Sequence, residues 1–193
     1  MTPAKTYHHG DLRAALVAEG LKRLADSDAE HLSLREVARN VGVSATAVYR
    51  HFPDKQALLS ALSFEGGELL AERQRLAQQA AGDGIAGFDA TWREYVRFAV
   101  ENPALFRLMM TDARSCARLD AEGSDQQGLA LLRRNIDRLA APGTDEPTKR
   151  ARAVQAWAIV HGLAMLILDG QVPADDALID AVISSAKWHD EAP

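Results

Sequence analysis

Between residues 33 and 55 the chain carries Ser33, Ser44, Thr46, Tyr49, Arg50, His51 and Lys55. These are two capping hydroxyls, a third hydroxyl, a phenol, an imidazole and two cations. Such groups donate hydrogen bonds to phosphate oxygens and base edges rather than break covalent bonds. The residues between them are small and branched: Val37, Ala38, Val41, Val43, Ala47 and Val48. Their spacing puts them on one face of two short helices. Ser33-Leu34-Arg35-Glu36 has the form of a capping box, a hydroxyl followed three residues on by a carboxylate. Gly42 suits the positive φ of a helix end. Ser44 would cap the second helix, which Phe52 and Pro53 would end. Two helices joined by a tight glycine turn are the unit that presents a recognition helix to the DNA major groove. Ser33 and Ser44 then sit where a hydroxyl and free N–H groups can both meet a phosphate. Tyr49, His51 and Lys55 are assigned to phosphates; Thr46, with Ala45 and Arg50, is assigned to bases.

A second set lies further on. Trp92, Tyr95, Phe106, Met109, Met110, Trp157 and His161 are aromatic or soft apolar groups with one imidazole among them. They would line a small-molecule pocket or fill an ordinary core. Composition does not separate these readings, because pockets are themselves mostly apolar. No second ligand stands at metal spacing beside His161, so no metal is expected. Cys116 has no histidine at informative spacing, and no Gly-rich phosphate loop, G-x-S-x-G or H-E-x-x-H is present. Neither catalysis nor a cofactor is expected.

The elements that must position these groups are helices. Period-2 runs of Val, Ile or Thr are absent, while Ala, Leu, Arg, Glu and Gln abound. The expectation is an all-α chain of about nine helices. A helix-turn-helix DNA-binding domain would occupy residues 1–55, and a helical ligand-binding and dimerisation domain 56–193. Pro53 would open a long helix running to about Ala81, with Gly66-Gly67 as a weak point or close contact in its middle. Asn102-Pro103 reads as a cap and first helical residue, and residues 129–140 as an amphipathic helix carrying Arg133, Arg134 and Arg138. A long helix ends at Leu168, and a last one spans 175–188. Net charge is −5, but residues 1–64 carry 8 basic and 7 acidic side chains, so the acidity lies beyond them. One copy of the reading module should therefore bind DNA weakly.

The segments Ser33-Leu34-Arg35-Glu36-Val37-Ala38, Gly42-Val43-Ser44 and Val48 to Lys55 resemble the tetracycline-repressor (TetR) family of bacterial regulators. That resemblance implies phosphate contacts for Ser33, Tyr49, His51 and Lys55. Tyr7 to Arg13 looks like the opening of one subgroup, from which His9 would reach a phosphate. Trp157-Ala158-Ile159-Val160-His161-Gly162 is similar to the W-x3-H-G signature of the WHG-type C-terminal domains, and Asn102 to Met110 fits the same subgroup. The family usually dimerises and holds a small ligand. The implied protein is a cytoplasmic, homodimeric regulator of double-stranded operator DNA with a small-molecule effector. The alternative is a small-molecule-binding helical protein without DNA function. The apolar run Ala156–Leu168 reads as too short to span a membrane.

Overall fold

Helix α1 (His9–Asp26) buries Leu12, Leu16, Val17 and Leu24 along one side, as its leucine spacing requires. The chain is described here by a computed structural model covering residues 9–111 and 127–185, with side chains from Leu12 to Thr111 and from Gly128 to Ser184. Tyr7, His8, the His9 side chain, Cys116 and the expected helix beyond Ser185 lie outside it. Among the described residues there are nine helices and no strand. They continue as α2 (Leu34–Val41), α3 (Ala45–Tyr49), α4 (Lys55–Ala81), α5 (Ile85–Glu101), α6 (Pro103–Thr111), α7 (Gln127–Leu139), α8 (Glu146–Leu168) and α9 (Asp176–Ser185).

The chain divides into two compact units, and the division falls inside α4, between Gly66 and Gly67. The first unit holds the helices up to Gly66 together with α6 from Ala104. Its core is Leu16, Val37, Val48, Phe52, Leu58, Leu62 and Phe106, each at most 2% exposed. Removing such side chains from water contributes about 1.5–3 kcal/mol apiece. Gly20 permits a close approach of α1 to α4: a Cβ there would stand 2.8 Å from Leu62 Cδ2. Arg23 of α1 donates to Glu36 of α2 at 2.7 Å, and Asn40 donates to Glu19 at 2.6 Å. Gly66 is the close contact expected of that glycine pair. A Cβ there would lie 2.8 Å from Met109 Sδ and 2.9 Å from Leu105 Cδ1 of α6. Gly67 has open space, and the helix continues through both.

The second unit is built around α5, which packs on α8 and α9, with α7 also on α8. Phe88, Trp92, Tyr95, Val96, Phe98 and Ala99 form its buried side. Arg93–Asp180 and Arg97–Asp176 tie α5 to α9, and Arg73 of α4 pairs with Glu94 and Glu101. Gly87 lies inside the first turn of α5, where a Cβ would stand 1.9 Å from the Gly82 carbonyl oxygen. Helix α8 buries Ala153, Ala156, Val160, Leu163, Ala164 and Ile167 and leaves Val154 and Leu166 exposed. At 23 residues it is, by length and composition, long enough to cross a membrane, against the expectation from its apolar run alone. Its buried face is packed on α5 and α7 instead.

Four local expectations are corrected. Ser33 is the N-cap of α2, but no capping box forms, because its hydroxyl makes no cap hydrogen bond and Glu36 is engaged by Arg23 and Arg39. Pro53 precedes the cap of α4 rather than opening the helix; Asp54 Oδ1 accepts from Ala57 N–H at 2.7 Å. Asn102 closes α5 instead of capping α6, its amide donating to the Phe98 carbonyl at 3.1 Å, while Pro103 does begin α6. Helix α7 starts at Gln127, two residues before the expected start at 129.

Candidate nucleic-acid interface

The turn before the exposed helix is set by Gly42, at φ 80°. Its N–H donates to the Arg39 carbonyl and the next N–H, of Val43, to the Ala38 carbonyl at 2.9 Å. These are the paired bonds of a Schellman ending, which needs a left-handed residue at that position. The Ser44 hydroxyl then accepts from Ala47 N–H at 3.2 Å and starts α3. Val48 is fully buried and anchors α3, with Ala47 half-buried beside it. The opposite side carries Ala45, Thr46 and Tyr49, all exposed, at helical positions one face apart. Tyr49 has 46% of its surface open, more than a core aromatic would. Phe52 is core, and Arg13 lies over its ring at 5.4 Å.

The cations differ in how far they are held. Lys55, half-buried, donates to the Glu30 carbonyl of the loop between α1 and α2. One of its three N–H donors is used, leaving others to reach outward. Arg50 is exposed at the C-cap of α3, and His51 beside it is half-buried. Ser33 stands at the start of α2 with its hydroxyl uncommitted. Arg35, second residue of α2, is exposed and has no hydrogen-bond or ion-pair partner among the described residues. The sequence reading does not include it among the candidate residues, although a cation two places after the N-cap Ser33 is visible there. In the loop before α2, Asp28 accepts from His31 N–H at 3.1 Å and pairs with its ring. Those bonds hold the Asp28 carboxyl below its ordinary pKa.

Of the second set, Trp92, Tyr95, Trp157 and His161 come together in the second unit. Trp157 Nε1–H donates to Tyr95 Oη at 3.1 Å, and Tyr95 Oη lies 3.0 Å from His161 Nδ1. The phenol oxygen is thus shared between the indole N–H and one ring nitrogen of the imidazole. Burial pushes the Tyr95 phenol up and the His161 imidazole down, favouring the neutral form of both. Trp92 meets Tyr95 edge-on at 6.0 Å and is 3% exposed. Phe106 and Met109 are buried in the first unit, and Met110 is half-buried there.

Comparisons with known proteins agree with this geometry. Residues 16–62 match bacterial regulatory proteins of the tetR family, and residues 88–186 match the tetracyclin repressor-like C-terminal domain. A Rhodococcus sp. RHA1 protein of unknown function is 30% identical, with 94% of each chain covered and a TM-score of 0.71. A TetR family transcription regulator from Marinobacter aquaeolei VT8 is 19% identical over 89% of this chain and 91% of its own, with a TM-score of 0.62. NalD of Pseudomonas aeruginosa, described as the secondary repressor of the MexAB-OprM multidrug efflux pump, is 18% identical over 92% and 95%, with a TM-score of 0.51. With matched segments spanning both its helix-turn-helix and its helical C-terminal part, this chain belongs to the tetR family of bacterial regulatory proteins and is a DNA-binding transcription regulator.

Proposed function

We propose that this regulator is a cytoplasmic homodimeric repressor that binds a palindromic operator and is released by a small, largely apolar effector. The observation that carries the DNA reading is α3. It is anchored by the buried Val48 and presents Ala45, Thr46 and Tyr49 outward. Thr46, with Ala45 and Arg50, reads base edges; Tyr49, His51, Lys55, Ser33 and Ser44 hold phosphates, joined by Arg35. Two copies are needed because a single near-neutral module neutralises few phosphates. Exposed Val154 and Leu166 on α8 support a two-fold contact through that helix and α9. The effector would be sensed within the second unit, near Trp92, Tyr95, Trp157 and His161. Its effect would pass along α4, and the glycine pair at the boundary of the two units is where that helix would bend. A ligand achieves this only through different affinity for the two states.

The test is operator binding by fluorescence anisotropy, using DNA from upstream of the protein's own gene at several salt concentrations. Tyr49→Ala should weaken binding across sequences. Lys55→Ala should do the same and make the salt slope shallower by about one. Wild-type protein with no salt-sensitive binding to that DNA sinks the repressor reading and favours a helical small-molecule binder that does not use DNA.

A further inference from the structure

A cleft of about 430 Å³ lies between the C-terminal half of α4 and α7, within the second unit. Its lining includes Arg75, Gln78, Asp83, Arg134, Asn135 and Arg138. None of these residues belongs to the DNA-reading face or to the group around Tyr95.

The floor of the cleft is a pair of buried amides. Gln78 Nε2 donates to Asn135 Oδ1 at 2.6 Å, and both side chains are less than a tenth exposed. Asn135 Nδ2 is left without an acceptor among the described residues. A buried donor with no partner is uncommon in folded proteins, and an oxygen arriving from outside the chain would satisfy it.

The rim is cationic. Arg75 is committed to Glu72 on its own helix through two bonds, of 2.7 and 2.5 Å. Arg138 reaches Asp83 at 3.3 Å, a long pair whose side chains are 61% and 91% exposed. Arg134 is exposed and has no hydrogen-bond or ion-pair partner among the described residues. Three guanidinium groups against one carboxylate line this cleft, in a chain whose net charge is −5. Guanidinium forks bind carboxylate and phosphate oxygens through paired N–H groups, and an amide N–H at the floor adds a third direction of donation. The volume suits a molecule of metabolite size.

We infer that this cleft is a binding site for a small, multiply charged anion whose carboxylate or phosphate oxygens bridge Arg134, Arg138 and Asn135. The inference stands apart from the DNA reading, and either could fail without the other.

The experiment is calorimetric titration of the full chain with citrate and, separately, inorganic phosphate, at fixed pH and with sodium chloride balancing ionic strength. Saturable binding of either anion is expected, and which of them binds tighter distinguishes a carboxylate from a phosphate ligand. Arg134→Glu, a change at an exposed position, should weaken that binding at least tenfold. Arg150→Glu, an equal change of charge on the exposed part of α8, should leave it unaltered. Asn135→Ala should abolish the binding if the variant folds; if it does not fold, Arg134→Glu alone decides. Absence of saturable binding by both anions overturns the site. Equal weakening by Arg134→Glu and Arg150→Glu also overturns it, since that would reflect overall charge alone.

Discussion

Adjacent glycines in one helix offer a matched pair. Gly66→Ala and Gly67→Ala make the same chemical change one position apart in α4, and both gain the same helix propensity, about 1 kcal/mol. They differ in what the new methyl meets. At Gly67 no described residue stands within 4 Å of the Cβ position, so the gain is unopposed. At Gly66 the methyl would lie 2.8 Å from Met109 Sδ, 2.9 Å from Leu105 Cδ1 and 3.0 Å from Leu105 Cγ. Met109 is flexible and can swing aside. Leu105 is 7% exposed, and its branch point as well as its tip is in the way. Overpacking of this kind costs about 1–3 kcal/mol, so the net for Gly66→Ala runs from neutral to about 2 kcal/mol destabilising. The two variants should therefore differ by about 1–3 kcal/mol. In a chain of this length each kcal/mol moves Tm by about 2–4 °C. Thermal melting followed by circular dichroism, at one protein concentration, reads the difference directly. Gly67→Ala should melt above wild type and Gly66→Ala at or below it. If both rise equally, the close approach of α6 to α4 at Gly66 is wrong.

Two further outcomes follow from single residues. Gly42→Ala forces an L side chain into φ 80° and should destabilise by about 1–2 kcal/mol, with operator affinity falling alongside because α3 loses its fixed start; melting and anisotropy check the two effects together. The His161 proton uptake should appear in the pH dependence of stability. Burial holds the folded imidazole below its ordinary value of 6.5, so below that pH the unfolded chain binds the extra proton and stability falls as pH drops towards the folded value. His161→Gln should flatten urea midpoints between pH 6.5 and the folded value, and an unchanged slope there would rule out titration of this ring.

The helix-turn-helix was legible because its signals are local. Ser44 bonds to a group three residues away, Gly42 closes its turn within five residues, and Val48 and Phe52 are core by helical period. The same locality made the capping box misleading. Ser33 and Glu36 have the right spacing, but Glu36 meets Arg23, thirteen residues back, and a charge-assisted pair competes well with a cap. Asp54 is readable as a cap from its spacing to Ala57, and the proline before it draws the expected helix start two residues too early. What no window of sequence contains is a partner on another helix. Tyr95 finds Trp157 and His161 at separations of 62 and 66 residues, and Gln78 finds Asn135 at 57. Both groupings use residue types that are ordinary in a core, so composition does not tell whether each will be buried and satisfied or left facing a cavity. The distinction rests on one atom in each case. Tyr95 Oη is engaged by both neighbours, whereas Asn135 Nδ2 faces no acceptor among the described residues. A sequence places donors on helices, and only packing decides which of them is left over for a ligand.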